Sequence, residues 1–188
     1  PGATPGATPG AAPAPGAAPE VDTSDSLILI VDDNAQNVEL LQAYLESLPC
    51  RTITAADGIE AMKIIEQRLI DGQAQGEGGP REALPDLILL DVMMPRMSGF
   101  EVCRKLKEDP ATRSVPIMMV TALNELGDIE RGVESGTDDF LTKPVNKLEL
   151  LTRVKSLLRV RHLKRELDRT MAYIQDIERR GGVPTPGE

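Results

Sequence analysis

Five short apolar runs, separated by stretches with helical spacing, organise this chain. Leu27-Ile-Leu-Ile-Val31 is apolar throughout, which predicts a strand buried on both faces. Val38, Leu41 and Leu45 then recur at steps of three and four, predicting a helix over Asn37–Leu48. Arg51-Thr-Ile-Thr-Ala55 alternates like a half-buried strand. Ile59, Met62 and Ile65 share one face of a helix over Gly58–Ile70. A third strand is predicted over Asp86–Leu90. It is followed by a helix over Ser98–Glu108, for which Ser98 is a suitable cap. Val115–Val120 predicts a fourth strand, Glu125–Ser135 a weaker helix, and Asp138–Thr142 a short fifth strand. A last helix starts near Asn146 and runs to Arg180.

Strand and helix alternating five times predict an α/β fold: a doubly wound, five-stranded parallel sheet with helices on both faces. The ends lack such patterning. Residues 1–25 are rich in Ala, Pro and Gly with nothing to bury, so a disordered tail is expected. Residues 71–84 are Gly-, Gln- and Glu-rich and read as a mobile loop. The body of the fold is expected over 26–158 and a helical extension over 159–180. Gly181-Gly182 then ends the helix, leaving a flexible end over 181–188. The first residue is Pro rather than Met, which reads as a trimmed or internal piece of a longer protein.

Composition narrows the function. Of 188 residues, 40% are hydrophobic but only 2% aromatic, so the core is aliphatic. The net charge of −9 argues against wholesale nucleic-acid binding. It is unevenly spread: residues 147–180 hold ten basic and five acidic residues, while the remainder carries 11 and 25. Cys50 and Cys103 have no metal-like spacing and read as reduced thiols of a cytoplasmic protein. No apolar run approaches the ~20 residues of a membrane-spanning helix.

The candidate chemistry lies at strand ends. Asp32-Asp33 follows the first strand, Asp91 closes the third, Thr121-Ala122 ends the fourth and Lys143-Pro144 follows the fifth. In a doubly wound sheet these ends converge on one crevice. Asp91 there is suited to accept a phosphate or to ligate a metal. Three carboxylates held together repel unless a cation neutralises them, and Mg2+ takes carboxylate oxygens readily. A hydroxyl and an ammonium beside the metal would complete a cradle for a phosphoryl group. Each piece alone has an ordinary reading as a cap, a turn or a surface loop; the set in this order does not.

With Leu90-Asp91, Met94-Pro95 and Gly99 added, the set resembles the receiver domain of bacterial response regulators over roughly residues 26–160, most closely receivers that precede cyclic-di-GMP enzymes. The resemblance implies a flavodoxin-like strand order, 2-1-3-4-5. It implies that Asp91 accepts the phosphoryl group from a sensor histidine kinase or a phosphotransfer protein. Asp33 and Asp91 would ligate Mg2+ directly, with the Met93 main-chain carbonyl, and Asp32 mostly through water. Thr121 would bond a phosphoryl oxygen, and Lys143 would pair with the phosphate or, without it, with Asp91. Thr121 and Phe140 would form the switch, and the Lys143–Pro144 bond would be cis. Such a module is not a turnover enzyme beyond its own phosphoryl transfer and dephosphorylation.

The apolar spacing of the last helix continues through Val160, Leu163, Leu167, Thr170, Ile174 and Ile177, a coiled-coil seam of about two and a half heptads. A homodimer through this seam or through the face formed by the fourth helix, the fifth strand and the last helix is expected, as is an effector domain beyond the chain. The competing view of the same seam is a helix end covered by another domain. Two rival functions remain at this level. One is a Mg2+-dependent phosphatase with an aspartyl nucleophile, although Met93 stands where such enzymes place their acid/base carboxylate. The other is a scaffold that is never phosphorylated.

Overall fold

The structure is a computed structural model that describes residues 26–74, 84–122 and 126–179. The expected tail over 1–25, most of the expected loop over 71–84, the Gly181-Gly182 stop and the end over 181–188 lie outside the described residues.

Five strands form one parallel sheet: β1 (Leu27–Val31), β2 (Arg51–Ala55), β3 (Leu87–Leu90), β4 (Ile117–Thr121) and β5 (Asp139–Thr142). Their order is β2-β1-β3-β4-β5, as expected. Five helices connect and follow them: α1 (Ala35–Leu45), α2 (Gly58–Ala74), α3 (Gly99–Glu108), α4 (Leu126–Ser135) and α5 (Lys147–Arg179).

The central strands are apolar throughout because both faces are covered. Alternate residues point to opposite sides. Leu29 and Val31 of β1, Ile88 and Leu90 of β3, and Met119 of β4 meet Ile65 of α2 with Val102 and Leu106 of α3. Ile28, Ile30, Leu87, Leu89 and Met118 instead meet Leu41 and Leu45 of α1 with Leu150, Val154 and Leu158 of α5. Both layers are aliphatic, as the composition requires.

Several boundaries differ from expectation for local reasons. α1 begins at Ala35 because Asn34 caps it, its side chain accepting from the Gln36 N–H; it stops at Leu45, and Leu48 sits in a following turn. α2 runs to Ala74 rather than Ile70. Its last turn lacks large apolar residues, but Gln67 donates to Asp71 at 2.9 Å along the exposed side. α3 starts with a capping box. Ser98 Oγ accepts from the Glu101 N–H at 3.3 Å, and the Glu101 carboxylate accepts from the Ser98 N–H at 2.9 Å.

α5 outlasts the sheet but stays fastened to it for several turns. Arg161, buried, donates to the Ser114 carbonyl and hydroxyl at 3.0 and 2.9 Å. Arg165 pairs with Asp86, whose other oxygen accepts from the Leu27 N–H at 2.9 Å. Asp86 therefore joins the starts of β1 and β3 to the long helix. Among the described residues no helix is long and apolar enough to cross a membrane.

Candidate functional site

Parallel strands place their carboxyl ends on one rim, and the chain turns there after each strand. β1 delivers Asp32-Asp33, β3 delivers Asp91, β4 ends on Thr121 and β5 leads into Lys143. The structure brings all five together. One carboxylate oxygen from each of Asp32, Asp33 and Asp91 lies within 4.8 Å of the others. Three hard oxygen donors this close suit a small divalent cation such as Mg2+.

The three carboxylates are not equivalent. Asp32 is buried, and its oxygens are already engaged: Oδ1 accepts from the Asn34 N–H at 2.9 Å and from Asn37 Nδ2 at 3.1 Å, Oδ2 from Lys143 Nζ at 2.7 Å. Asp33 is exposed. Asp91 is buried, with Oδ1 accepting from the Val92 N–H at 2.8 Å and Oδ2 standing 3.3 Å from Lys143 Nζ. Lys143 thus bridges Asp32 and Asp91 and lies nearer to Asp32. Burial pushes the Asp91 carboxyl above its ordinary value, and the Asp32 charge adds to this. The Lys143 charge and a hydrogen bond from Thr121 oppose it.

Backbone contacts fix the rim. The Asp91 N–H donates to Val31 O at 2.8 Å, and the Lys143 N–H to Thr121 O at 2.8 Å. Thr121 is fully buried, and the Lys143–Pro144 peptide is cis. After Asp91 the chain folds tightly over itself: Gly99 N–H donates to Val92 O at 3.0 Å, and a Cβ on Gly99 would stand 2.2 Å from Asp91 O. Only glycine allows α3 to begin this close to the Asp91 backbone. The Met93 side chain is 63% exposed, so it occupies no core position. Phe140 is half-buried, packed beneath α4 where Gly132 leaves room beside its ring.

Several participants carry no periodic signal in the sequence. Asn37 is readable only as the start of a helix, and Gly99 as a loop signal and motif residue but not as a contact with the Asp91 backbone. The link of Asp57 to Arg96 joins residues 39 apart and has no motif.

The family model for the response regulator receiver domain matches residues 28–155. The chain belongs to this family. The receiver is 46% identical over 140 residues to the response regulator PleD of Caulobacter vibrioides (strain NA1000 / CB15N), covering 74% of this chain and 28% of PleD. It is 38% identical over 132 residues to the DNA-binding dual master transcriptional regulator RpaA of Synechocystis sp., covering 70% of this chain and 48% of RpaA. The chain therefore spans less than half the length of these two relatives. Among solved structures, the receiver is similar to the signal receiver domain of a signal transduction histidine kinase from Syntrophus aciditrophicus. That match has a TM-score of 0.61 and 35% identity, over 72% of this chain and 91% of that one. It is also similar to the BeF3-activated DrrB receiver domain, with a TM-score of 0.56 and 30% identity over 71% and 97% of the two chains.

Proposed function

We propose that this receiver is phosphorylated on Asp91 by a sensor histidine kinase or a phosphotransfer protein, in a Mg2+-dependent reaction. The observation that carries the reading is the convergence of Asp91 with Asp32, Asp33, Thr121 and Lys143 at one rim. An Asp91 carboxylate oxygen attacks the phosphorus of a phosphohistidine. The P–N bond breaks, and the imidazole nitrogen leaves with its electron pair. Asp33 and Asp91 would hold Mg2+ directly with the Met93 carbonyl. Asp32, whose oxygens already serve Lys143, Asn34 and Asn37, would act through water. Bound there, Mg2+ supplies positive charge against the phosphoryl oxygens.

Phosphorylation adds a charge of roughly −1.5 to −2 at the rim. Thr121 and Lys143 turn toward the new oxygens, and Lys143 gives up its contact with Asp32. Phe140 and the α4–β5–α5 face then shift between two packings. The signal leaves through that face and through α5 to a partner or effector, in a cytoplasmic setting.

The helix extension supports an output through a second copy. Val160, Leu163, Leu167 and Ile174 are all exposed. Arg161 and Arg165, which fasten the helix to the sheet, lie on its opposite face. The fastening therefore turns the apolar seam outward, where a parallel partner helix fits it.

The phosphatase alternative is disfavoured by Met93, which offers no second carboxylate two residues after Asp91. A small phosphodonor with Mg2+ separates the readings. A stable adduct supports the receiver reading, continuous phosphate release the phosphatase, and no reaction the scaffold.

A further inference from the structure

The segment between Asp91 and α3 is held from outside as well as from within. Asp57 is buried and acts with both carboxylate oxygens. Oδ1 accepts from the N–H groups of Ile59 and Glu60 at 2.8 and 2.9 Å, capping α2. Oδ2 takes the guanidinium of Arg96. Beside it, a Cβ on Gly58 would stand 2.9 Å from Met97 O and 2.7 Å from Val102 Cγ2, so α2 and this segment meet without spare room. Arg96 is the only non-glycine residue with positive φ, at 68°, among the described residues. A long side chain seldom adopts that conformation unless something holds it.

We infer that Asp57 and Arg96 form a positioning pair that fixes the segment after Asp91 and with it the Met93 carbonyl, a ligand under the function proposed above. Arg96 follows Met93 by three residues, on the far side of Met94 and Pro95. Met94 is buried, and its N–H donates to Val92 O at 3.1 Å. The turn is thus pinned near Asp91 by Val92 and Gly99 and at its outer end by Arg96. The Arg96 side chain is 60% exposed, so the pair contributes little to stability. Its consequence is where the turn sits, since Asp57 is held rigidly by its cap.

The test uses Arg96→Asn, Asp57→Asn, their double variant and Arg96→Lys. Asn tolerates positive φ but is too short to reach Asp57. Asn at 57 keeps the capping oxygen and presents an amide to Arg96. The readout is the Mg2+ midpoint of the Val92 and Met93 amide resonances in the full chain. Thermal unfolding without Mg2+ is measured alongside. Charge alone would move the two substitutions oppositely: losing Arg96 would strengthen Mg2+ binding, and losing Asp57 acidity would weaken it.

Positioning predicts the same loss for both, about tenfold as for groups that orient a metal ligand. The double variant should lose no more than either single one, and Arg96→Lys should recover most of the affinity. Unfolding without Mg2+ should barely move. Opposite signs, additive losses or unchanged midpoints would overturn the pair's role while leaving the Mg2+ site standing. A wild-type chain whose resonances ignore Mg2+ would overturn the metal reading and this role together.

Discussion

Lys143 Nζ lies 2.7 Å from Asp32 Oδ2, a contact that spans 111 residues of sequence. The lysine neutralises the more buried partner of an acidic pair and keeps 3.3 Å to Asp91. One ammonium thus serves both carboxylates of the rim.

Replacing it tests that role. Lys143→Met should destabilise the metal-free protein by about 3 kcal/mol, because removing one partner strands a buried charge. Mg2+ should recover part of the loss, since it supplies the missing positive charge. Urea titrations in EDTA and in Mg2+ measure both quantities. An equal loss in the two conditions would show that the lysine does not share the acidic site with the cation.

Two glycines should respond oppositely to alanine. Gly99→Ala forces a Cβ against Asp91 O, and the backbone around Asp91 must move. A loss of roughly 2 kcal/mol or more is expected, with a lower rate of phosphoryl uptake. Gly127→Ala meets nothing within 4 Å and should gain up to about 0.5 kcal/mol in helix α4. Denaturation midpoints of the two variants decide it.

The capping box at Ser98 predicts a pH effect. Hydrogen bonds from the Ser98 backbone and hydroxyl hold the Glu101 carboxyl below its ordinary value of 4.5. Its contribution to stability is therefore fully present above that value and is lost as pH falls through the folded value. Ser98→Ala removes the hydroxyl bond and raises the folded value toward the ordinary one. The variant should lose less stability than wild type on acidification from pH 5 to pH 3 (roughly the carboxylate range). Parallel acid arms in thermal unfolding would contradict this.

The strands were legible because burial on both faces leaves unbroken apolar runs, as in Leu27–Val31 and Leu87–Leu90; their order followed only from the family resemblance. The four strand-end motifs were legible because such a sheet has one rim for all of them. Helix limits were less so. The last turn of α2 has no large apolar residue to report it, and α1 is set by Asn34, a residue that caps as readily as it turns. Pairs such as Lys143 with Asp32, Arg165 with Asp86 and Arg96 with Asp57 were invisible. Charged residues have no periodicity that tells a solvated side chain from one that reaches across the fold.

The outward seam of α5 predicts association. Leu163, Leu167 and Ile174 would face their own copies, each Leu contributing roughly 1.5–3 kcal/mol before association entropy is subtracted. Leu167→Asp with Ile174→Asp should abolish dimers in sedimentation and leave phosphorylation of Asp91 intact. A wild-type chain that stays monomeric at high micromolar concentration, with and without phosphodonor, would refute the seam.

The central claim is that Asp91 alone accepts the phosphoryl group. Intact-mass measurement after incubation with a small phosphodonor and Mg2+ tests it most directly, on wild type and on Asp91→Asn. Wild type should gain about 80 Da, one phosphoryl group, in a form that is lost when Mg2+ is withheld, and Asp91→Asn should gain nothing. The same gain on Asp91→Asn at wild-type yield would contradict the account.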